Sequence, residues 1–290
     1  MLISCILPNF NGEKYLGQAI ESILAQDFPD FEFLILDDGS LDRSKEIIER
    51  FATLDKRIKP FFLKKQGLVS ILNFGLENSK GKYIARMDSD DISLPNRFST
   101  QINYLKQPNI GLVGSGIYVI NESGSFLKYG HYPSDIILNK MMLDANYIAH
   151  PTVIFKRELL DKVGRYSKVF RHAEDYELWL RLSRVTNIIN TKEKLLVYRQ
   201  HKNSISVKYY PHQSMTDLII KYIYRNNLDI NLKDLDFINF EIIRQLIDKT
   251  DYEELICLWN KSISVMLKKG QINSYDIPDY LLSYFRQGIK

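Results

Sequence analysis

The sequence predicts an α/β protein with a mainly parallel sheet in its amino-terminal part and helices in its carboxyl-terminal part. Stretches typical of strands and of helices alternate from residue 2 to about residue 105, which is the pattern of a sheet flanked by helices. From about residue 211, apolar residues recur at near-helical spacing without interleaved strands. We therefore expect one domain over residues 1–210 and a helical appendage over residues 211–290.

The elements of the first part follow from the spacing of apolar residues. Strand-like apolar runs lie at 2–7, 31–36, 58–63 and 82–87, and segments with one apolar helical face lie at 13–26 and 68–78. Ser40 or Asp42 is suited to cap a further helix after the second strand. Pro95 is suited to the first turn of a fourth helix, which reaches about residue 105.

The carboxyl-terminal region has no strong charge of one sign. Its 10 Lys and Arg balance 11 Asp and Glu, which does not favour a strong electrostatic membrane anchor. Docking onto the first domain is the simplest interpretation. Dimerisation and shallow membrane contact through Trp259 and the tyrosines are the alternatives that the sequence leaves open.

Composition indicates an ordinary globular protein. The chain has 290 residues, 45% of them hydrophobic and 26% charged, which is ample for one large or two modest domains. Cys5 and Cys257 have neither metal-ligand spacing nor a disulfide pattern, so a reducing compartment is expected. The first apolar run lacks preceding basic residues, and no stretch of 18 apolar residues occurs. We expect a cytoplasmic protein, or one peripheral to the inner face of the plasma membrane.

Positive charge is concentrated in the middle of the chain. The net charge is +4, but residues 151–210 carry 13 Lys and Arg against 6 Asp and Glu, an excess of 13 − 6 = +7. Such a segment suits a diphosphate ligand or an anionic lipid surface, although a solvated basic face is the simpler alternative. We expect no nucleic-acid partner, because no recognised nucleic-acid-binding motif accompanies the charge.

An acidic cluster follows the strand predicted at 82–87. Asp88, Asp90 and Asp91 place three carboxylates within four residues, and a bound cation would keep such crowded groups ionised. Mn²⁺ or Mg²⁺ would complete its shell with waters and substrate phosphates. The alternative is a solvated acidic turn. An EF-hand is excluded, because the fifth, sixth and twelfth loop positions, counted with Asp88 as the first, are Ile92, Ser93 and Ser99 and lack the required Gly and Glu.

Polar residues end two other predicted strands, at Pro8-Asn9-Phe10-Asn11 and at Asp37-Asp38. The carboxyl ends of parallel strands share one edge of a sheet, so these residues are expected to meet the acidic cluster there. Phe10 offers an aromatic face and Asp38 an acceptor for an imide N–H, as a uracil or thymine ring needs. Asp88 can then accept from ribose. No G-x-G-x-x-G or Walker A motif follows the first strand.

Four motifs, in this order along the chain, resemble family 2 glycosyltransferases of the GT-A fold. They are Ile6-Leu7-Pro8-Asn9-Phe10-Asn11, Asp37-Asp38-Gly39-Ser40, Gly81-Lys82-Tyr83-Ile84-Ala85-Arg86-Met87-Asp88-Ser89-Asp90-Asp91 and Ala173-Glu174-Asp175-Tyr176-Glu177-Leu178-Trp179-Leu180-Arg181. The resemblance covers roughly residues 1 to 205. It implies a nucleotide-diphosphosugar donor, a divalent metal and inversion at the anomeric carbon.

The resemblance also implies roles for individual residues. It places the catalytic base at Asp175, whose plain alternative is a helix cap or first-turn acid. The expected metal ligands are Asp90, Asp91 and His201. The residues expected to bind the donor are Pro8, Phe10, Asn11, Asp38, Arg86, Asp88 and Arg199. Surface placement is the alternative for His201, and His150 and His172 are weaker candidates for sites near the donor sugar and the acceptor.

Two departures from the family pattern narrow the expected reaction. The third helix has Ser70-Ile71-Leu72-Asn73 where many relatives carry an Arg-Asn pair near the donor phosphate, and Arg86 is the candidate substitute. The Gln-x-x-Arg-Trp motif of processive members is absent, so transfer of a single sugar is expected.

We therefore expect transfer of one hexose or N-acetylhexosamine from a UDP-sugar, with dTDP the less favoured donor nucleotide. The acceptor is expected to be a saccharide or lipid-linked glycan of surface polysaccharide synthesis. A non-catalytic sugar-nucleotide-binding protein of the same fold is the rival hypothesis, and a nucleotidyltransferase is disfavoured because no Gly-rich triphosphate loop follows the first strand.

Overall fold

A computed structural model of the chain describes residues 1–130, 132–202, 204–227, 238, 243 and 252–260. These residues divide into two compact units. The first consists of Met1–Tyr166 and Leu178–His201, and the second of Ser167–Glu177 with the described residues from Lys202 onward.

The strands of the first unit, numbered in chain order, are β1 Ile3–Asn9, β2 Phe31–Asp37, β3 Ile58–Phe62, β4 Tyr83–Arg86, β5 Ile92–Ser93, β6 Ile110–Ile120, β7 Phe126–Gly130, β8 Ile154–Lys156 and β9 Asn187–Arg199. The helices are α1 Leu16–Leu24, α2 Ser44–Leu54, α3 Leu68–Asn78, α4 Arg97–Leu105, α5 Leu160–Val163, α6 Glu174–Ser183, α7 Ile205–Lys208 and α8 Tyr210–Arg225. Helix α6 begins in the second unit and ends in the first.

The described strands form one sheet in the order β3-β2-β1-β4-β8-β6-β9-β5, with β7 paired to β6. The half that contains β3, β2, β1 and β4 is parallel throughout, and β6 and β9 form a second parallel pair. Antiparallel pairs connect β8 to β4 and β6, β5 to β9, and β7 to β6. The prediction of a mainly parallel sheet with flanking helices is confirmed.

The core explains why the central strands are so apolar. All residues of β1 and β2 are buried, as expected for parallel strands with helices on both faces. The helix α1 contributes the predicted apolar face, because Leu16, Ala19, Ile20 and Ile23 are buried. Fully burying one such aliphatic side chain stabilises the fold by about 1.5–3 kcal/mol.

Proline is unusual in a central strand, yet Pro8 lies within β1. The pairing of β1 with β4 ends at Ile6 and Arg86, and the last bond of that ladder runs from Met87 N to Ile6 O. Pro8 is two residues further on, so its missing N–H faces the side on which β4 has already ended. The proline therefore costs the sheet no hydrogen bond.

Element boundaries agree closely with the sequence patterns. Helix α3 has the predicted bounds, whereas α1 begins at Leu16, three residues later than predicted, after a turn in which Tyr15 and Leu16 donate their N–H groups to Gly12 O. Asp42 accepts the N–H of Ser44, the first residue of α2, but the N-cap position is held by Arg43, so the prediction of a cap at Ser40 or Asp42 was wrong. The placement of Pro95 in the first turn of α4 was wrong, because the helix begins at Arg97 after an N-cap at Asn96.

The second unit contains α7, α8, the start of α6 and the helical segment 252–260. Trp259 is fully buried, so it offers no exposed membrane anchor. The apolar residues expected at 240, 246, 263, 267 and 280–285 lie outside the described residues. Among the helices of the described ranges, none combines the length and apolar composition that a membrane span needs.

Candidate functional site

The carboxyl ends of β1 and β2 meet through their last side chains. Asn9 and Asp37 are register partners, and Asn9 Nδ2 donates to Asp37 Oδ1 over 2.8 Å. The same Asp37 carboxylate accepts the N–H and the hydroxyl of Ser40 at 3.0 and 2.6 Å. These buried bonds fix the loop that follows β2 against the end of β1.

The loops after β1 and β2 are also bonded to each other. Asn11 donates its N–H to Ser40 Oγ, and its side-chain oxygen accepts from Leu41 N, each over 2.8 Å. Asn11 has φ +51°, a conformation that asparagine tolerates better than most residues. Phe10 beside it is 45% exposed, with Lys65 Nζ over its ring. Phe10 is therefore partly exposed at this edge, and its stacking on a base stays a prediction.

Asp38, expected to bind a base, is largely occupied by the protein itself. Its carboxylate is almost fully buried and accepts the N–H groups of Gln66 and Gly67 at 2.8 and 3.0 Å. Lys65 Nζ lies 3.1 Å from Oδ2. Asp38 thus anchors the segment that leads into α3, and its predicted contact with an imide N–H stays a prediction.

The acidic cluster lies just beyond β4. Asp88, Asp90 and Asp91 each place a carboxylate oxygen within 4.8 Å of the other two. Asp91 is 1% exposed. Its Oδ1 accepts from Arg199 N over 2.8 Å, and its Oδ2 has no hydrogen-bond partner among the described residues. Burial, followed by the charges of Asp90 and Asp88, raises the pKa of Asp91 well above its usual range.

This donor set fits a hard divalent cation. Three oxygens converge, one of them buried and unpartnered, and carboxylate oxygens are the ligands that Mg²⁺ and Mn²⁺ take in nucleotide sites. Burial also raises the pKa of Asp88, which means that ionising the cluster is costly without a compensating positive charge. The convergence expected from the sequence is therefore present.

Two buried arginines supply part of that positive charge. Arg86, the last residue of β4, is 4% exposed, and its Nη1 pairs with Asp88 Oδ2. Burial, the largest single influence, would lower the pKa of Arg86, but the charge and hydrogen bond of Asp88 together with smaller contributions from Tyr166 and Asp91 raise it. Arg97 is fully buried and donates to Arg86 O over 2.6 Å. Contact between Arg86 and a donor phosphate stays a prediction.

Arg97 belongs to a buried node that sequence inspection missed. Its Nε donates to Gln101 Oε1 over 3.1 Å, and Gln101 Nε2 donates to the carbonyls of Val113 and Thr152, each over 2.8 Å. Through these bonds α4 is tied to β4, to β6 and to the turn before β8. Arg97 and Gln101 are four residues apart on a helix, and in the sequence this spacing is equally typical of a solvent-exposed polar face. Their burial could therefore not be recognised from the sequence.

The end of β9 covers the acidic cluster from the other side. Arg199 Nε donates to Asp90 O over 3.0 Å, and Arg199 Nη2 donates to Gln18 Oε1 over 2.6 Å. His201 Nε2 lies 2.8 Å from Asp90 Oδ2. Tyr15 packs against both, with the Arg199 guanidinium 4.4 Å from its ring centre and the His201 ring at 5.5 Å.

The structure therefore brings both predicted residues of this segment to the cluster. His201 contacts an expected ligand, Asp90, while Arg199 uses its donors on protein acceptors. Direct binding of a metal by His201 and of a phosphate by Arg199 stay predictions. Tyr15 and Gln18 were missed, because only the fold places the first turn of α1 beside the end of β9.

The candidate base lies in the second unit. Asp175 is in the first turn of α6 with Glu174 and Glu177, and its Oδ1 accepts from Tyr176 N over 2.7 Å. Glu177 Oε1 accepts from the Tyr224 hydroxyl of α8 over 2.9 Å. Burial, followed by the charge of Asp175, raises the pKa of Asp217 in α8 to about 7. Asp217 lies in none of the motifs found in the sequence, so it was not predicted as a site residue.

The two other candidate histidines are held by aromatic partners. His172 has φ +68° and stacks on Tyr209 with ring centres 4.3 Å apart. Burial, then the charges of His212 and Arg171, lowers the pKa of His172 to about 4. His150 Nε2 lies 2.9 Å from the Tyr166 hydroxyl, and burial lowers its pKa well below the usual range. Both imidazoles are therefore neutral at pH 7.

Comparison with known proteins gives consistent results. Residues 4–164 match the family model described as glycosyl transferase family 2. An O-antigen biosynthesis glycosyltransferase of Escherichia coli, WbnJ, is 39% identical over 208 residues, covering 70% of this chain and 81% of its own. An uncharacterized glycosyltransferase of Haemophilus influenzae is 34% identical over 248 residues, covering 80% and 77%.

Solved structures show the same fold at lower identity. The S. aureus TarS structure in complex with UDP-GlcNAc has a TM-score of 0.66 at 17% identity, covering 100% of this chain and 80% of that one. The mannosyltransferase PcManGT of Pyrobaculum calidifontis, in complex with GDP-Man and Mn²⁺, has a TM-score of 0.58 at 12% identity, covering 99% and 83%.

Proposed function

Because the chain belongs to glycosyltransferase family 2, we propose that it transfers one hexose or N-acetylhexosamine from a UDP-sugar to a saccharide, with inversion and with a divalent metal. The chain is a glycosyltransferase with the GT-A fold. The observation that carries the proposal is the convergence of Asp88, Asp90 and Asp91 just after β4, a strand that pairs in parallel with β1, whose polar end meets that of β2.

The choice of uridine diphosphate rests on this edge and on the relatives. Phe10 offers a half-exposed ring for stacking, and Asp38 holds the neighbouring segment in place. The TarS structures contain UDP or UDP-GlcNAc, which supports a uridine nucleotide here. Asp88 is the proposed acceptor for a ribose hydroxyl, and the buried residues Pro8 and Asn9 support the loop that carries Phe10 and Asn11.

Asp90 and Asp91 are the residues that would hold Mn²⁺ or Mg²⁺, and Asp88 completes the acidic cluster beside them. The unpartnered Oδ2 of Asp91 supports this role, and His201, hydrogen-bonded to Asp90, would orient that carboxylate or join it as a ligand. A bound divalent cation supplies neutralisation of the charge on the leaving diphosphate. Arg86 pairs with the carboxylate of Asp88, and Arg199 donates to the backbone carbonyl of Asp90, so both arginines contact the cluster.

Asp175 is the proposed general base, which takes the proton of the attacking acceptor hydroxyl. General-base help of this kind is worth about 10²- to 10⁴-fold in rate. The position in the first turn of α6 favours the ionised form through the helix dipole.

The acceptor proposed is a lipid-linked glycan precursor of a surface polysaccharide. The E. coli relative is named for O-antigen biosynthesis, which supports this class. Work at the inner face of the plasma membrane follows from such an acceptor, since its lipid keeps it in the bilayer. Homodimerisation stays a prediction.

A donor-turnover assay tests the proposal. The protein is incubated with UDP-glucose, UDP-galactose and their N-acetylhexosamine counterparts, with Mn²⁺ or with EDTA, and UDP release is followed by chromatography. We expect slow metal-dependent hydrolysis of one UDP-sugar, accelerated by the correct acceptor. Turnover that is equal with EDTA would contradict the metal site, and UTP-dependent pyrophosphate release from a sugar phosphate would indicate a nucleotidyltransferase instead.

Matched variants separate the two carboxylate roles. Asp90→Asn should weaken metal-dependent UDP binding, whereas Asp175→Asn should bind UDP as the wild type does and lose transfer by about 10²- to 10⁴-fold. Asp161→Asn, an exposed position on α5, is the control and should change neither. Equal loss of UDP binding in Asp175→Asn would contradict its assignment as the base.

A further inference from the structure

Strand β7 of the first unit exposes an unusual set of side chains. Phe126, Leu127 and Tyr129 are 53%, 49% and 50% exposed, and Lys128 between them is exposed as well. Aromatic side chains have about 150–250 Å² of surface each, so at half exposure each ring contributes about 75–125 Å². With Leu127 the strand presents roughly 200–350 Å² of apolar surface, which is near the lower end of the largest patches on monomeric proteins, and such patches are often functional.

The rings of this patch form a cluster rather than separate side chains. Tyr129 lies 4.9 Å from Phe126 and 5.7 Å from Tyr118 of β6, measured between ring centres. Lys194 of β9 places its ammonium 5.0 Å from the Tyr129 ring centre. The register between β6 and β7 shifts between the pairs Val119–Lys128 and Ile120–Phe126, which leaves Leu127 as an extra, unpaired residue. Such a bulge changes the direction in which a side chain points.

The hairpin that carries the patch is built to hold its shape. Asn121 Oδ1 accepts the N–H groups of Ser123 and Ser125 at 3.1 and 2.8 Å, and Gly124 supplies the positive φ that the turn needs. The aromatic cluster is therefore presented on a preformed turn, and its docking would cost little ordering entropy.

The same hairpin adjoins the metal cluster. Ile120 O, at the end of β6, accepts from Gln200 N over 2.9 Å, one residue from Arg199. In the turn, Glu122 pairs with Lys14, and Glu122 O lies 3.5 Å from the hydroxyl of Tyr15, the residue that packs on Arg199 and His201. A surface that docked here would lie beside the donor site.

We propose that the β6–β7 hairpin docks onto the surface of an anionic lipid bilayer. Tyrosine and phenylalanine beside lysine is the combination that settles at the headgroup level, and Lys128 and Lys194 supply the charge complementary to anionic lipid. The nearby acid Glu122 is neutralised by Lys14. The inference rests on the proposed function for its purpose, because a lipid-linked acceptor is displayed at such a surface.

A saccharide platform is the competing occupant, and the shape of the patch disfavours it. A sugar ring stacks on one flat aromatic face, whereas here the Tyr129 ring is tilted against both of its neighbours, at 56° and 65°. The exposed surface also continues from the rings onto the aliphatic Leu127. An irregular apolar surface with a cationic border suits lipid better than it suits a single pyranose.

Vesicle sedimentation with the full chain tests the proposal. Wild type is mixed, without nucleotide, with vesicles of phosphatidylcholine alone and with vesicles containing phosphatidylglycerol. We expect binding to the anionic vesicles, weakened at least about tenfold in Phe126→Ser/Tyr129→Ser by loss of apolar area. We also expect about fivefold weakening per charge in Lys128→Gln/Lys194→Gln. A Phe126→Trp variant should shift its emission to shorter wavelength on binding.

The control is Leu54→Ser/Ile137→Ser, which removes two comparably exposed apolar side chains elsewhere on the first unit and should bind as wild type does. Calorimetric UDP binding, measured without lipid, should be the same in all variants, so that the test of the surface is independent of the test of donor binding. Absence of wild-type binding to anionic vesicles would overturn the proposal. So would a hairpin variant that binds as tightly as wild type.

Discussion

Replacing Asp91 by Asn should make the metal-free protein more stable while removing its response to metal. Asp91 is buried, its Oδ1 keeps one bond to Arg199 N that an asparagine oxygen can also make, and its Oδ2 has no partner among the described residues. The substitution therefore deletes a buried charge from an acidic cluster with little change of shape.

The expected magnitude follows from the spacing of the cluster. At 4.8 Å, two carboxylate charges repel by about 3.5 kcal/mol at an effective dielectric constant of ~20 and by about 0.9 kcal/mol at that of water. Arg86, which pairs with Asp88, offsets part of this repulsion. We expect Asp91→Asn to stabilise the metal-free protein by about 1–2 kcal/mol, which is roughly 2–8 °C in Tm for a chain of this size.

The opposite sign is expected once metal is present. A cation at 100 times its dissociation constant stabilises the wild type by about 2.7 kcal/mol, and the variant should lose most of this gain. Thermal unfolding of both proteins, in EDTA and in Mn²⁺ with UDP, measures all four values. The variant should unfold at the higher temperature in EDTA, and the wild type should do so in Mn²⁺.

Two outcomes would refute this reasoning. If Asp91→Asn is less stable than wild type in EDTA, the carboxylate is a structural acceptor and not a repelled member of a metal site. If the variant retains the full metal-induced shift, Asp91 is not a ligand. Asp161→Asn, at an exposed position, should behave as wild type in both solutions.

Three further predictions concern the framework. Arg97→Met should destabilise the fold by about 3 kcal/mol, because it removes the Arg97 donor from the buried carbonyl of Arg86 and one of the two donors of Val153 O. Chemical denaturation measures the loss, and a loss under about 1 kcal/mol would contradict a structural role for Arg97. Gly81→Ala should lower the free energy of unfolding by about 2 kcal/mol or more in the same assay, since a Cβ would meet Ser4 N at 2.5 Å. An unchanged denaturation midpoint would show that the backbone around Ser4 can move to make room. Burial raises the pKa of Asp217 to about 7 in the folded protein, so the contribution of its protonated form to stability is complete below the unfolded pKa near 4 and is lost as the pH rises through 7. The stability that Asp217→Asn gains over wild type should therefore grow between pH 4 and pH 8. A difference in stability that does not change with pH would contradict the raised pKa.

Much of the fold was predictable because its signals are local. The bounds of α3 and, to within one residue, the ends of β2 and β4 follow from apolar periodicity, whereas β1 continues two residues past its predicted end, through Pro8 and Asn9. The contact between Asn9 and Asp37 was also predictable, because parallel strands share the edge at which they end. Each of these inferences needs only a short stretch of sequence and a general rule of sheet geometry.

The parts that were missed depend on contacts distant in sequence. Arg97 looks like any polar residue at the start of a helix, and only the packing of α4 beneath β4 shows that its charge is buried. Tyr15 carries no motif, yet it packs on Arg199, more than 180 residues later. The position of Pro95 was wrong because an N-cap at Asn96 separates it from the helix, a difference of two residues that propensity alone does not resolve.

The binding of UDP with and without metal is the experiment to perform first. Calorimetric titration of UDP, dTDP and GDP into the full chain, in Mn²⁺ and again in EDTA, examines the nucleotide, the metal and the acidic cluster together. We predict binding of UDP that requires Mn²⁺ and that is lost in Asp90→Asn. Equal binding of UDP in EDTA, or undiminished binding by Asp90→Asn, would contradict a metal-dependent donor site at this edge of the sheet.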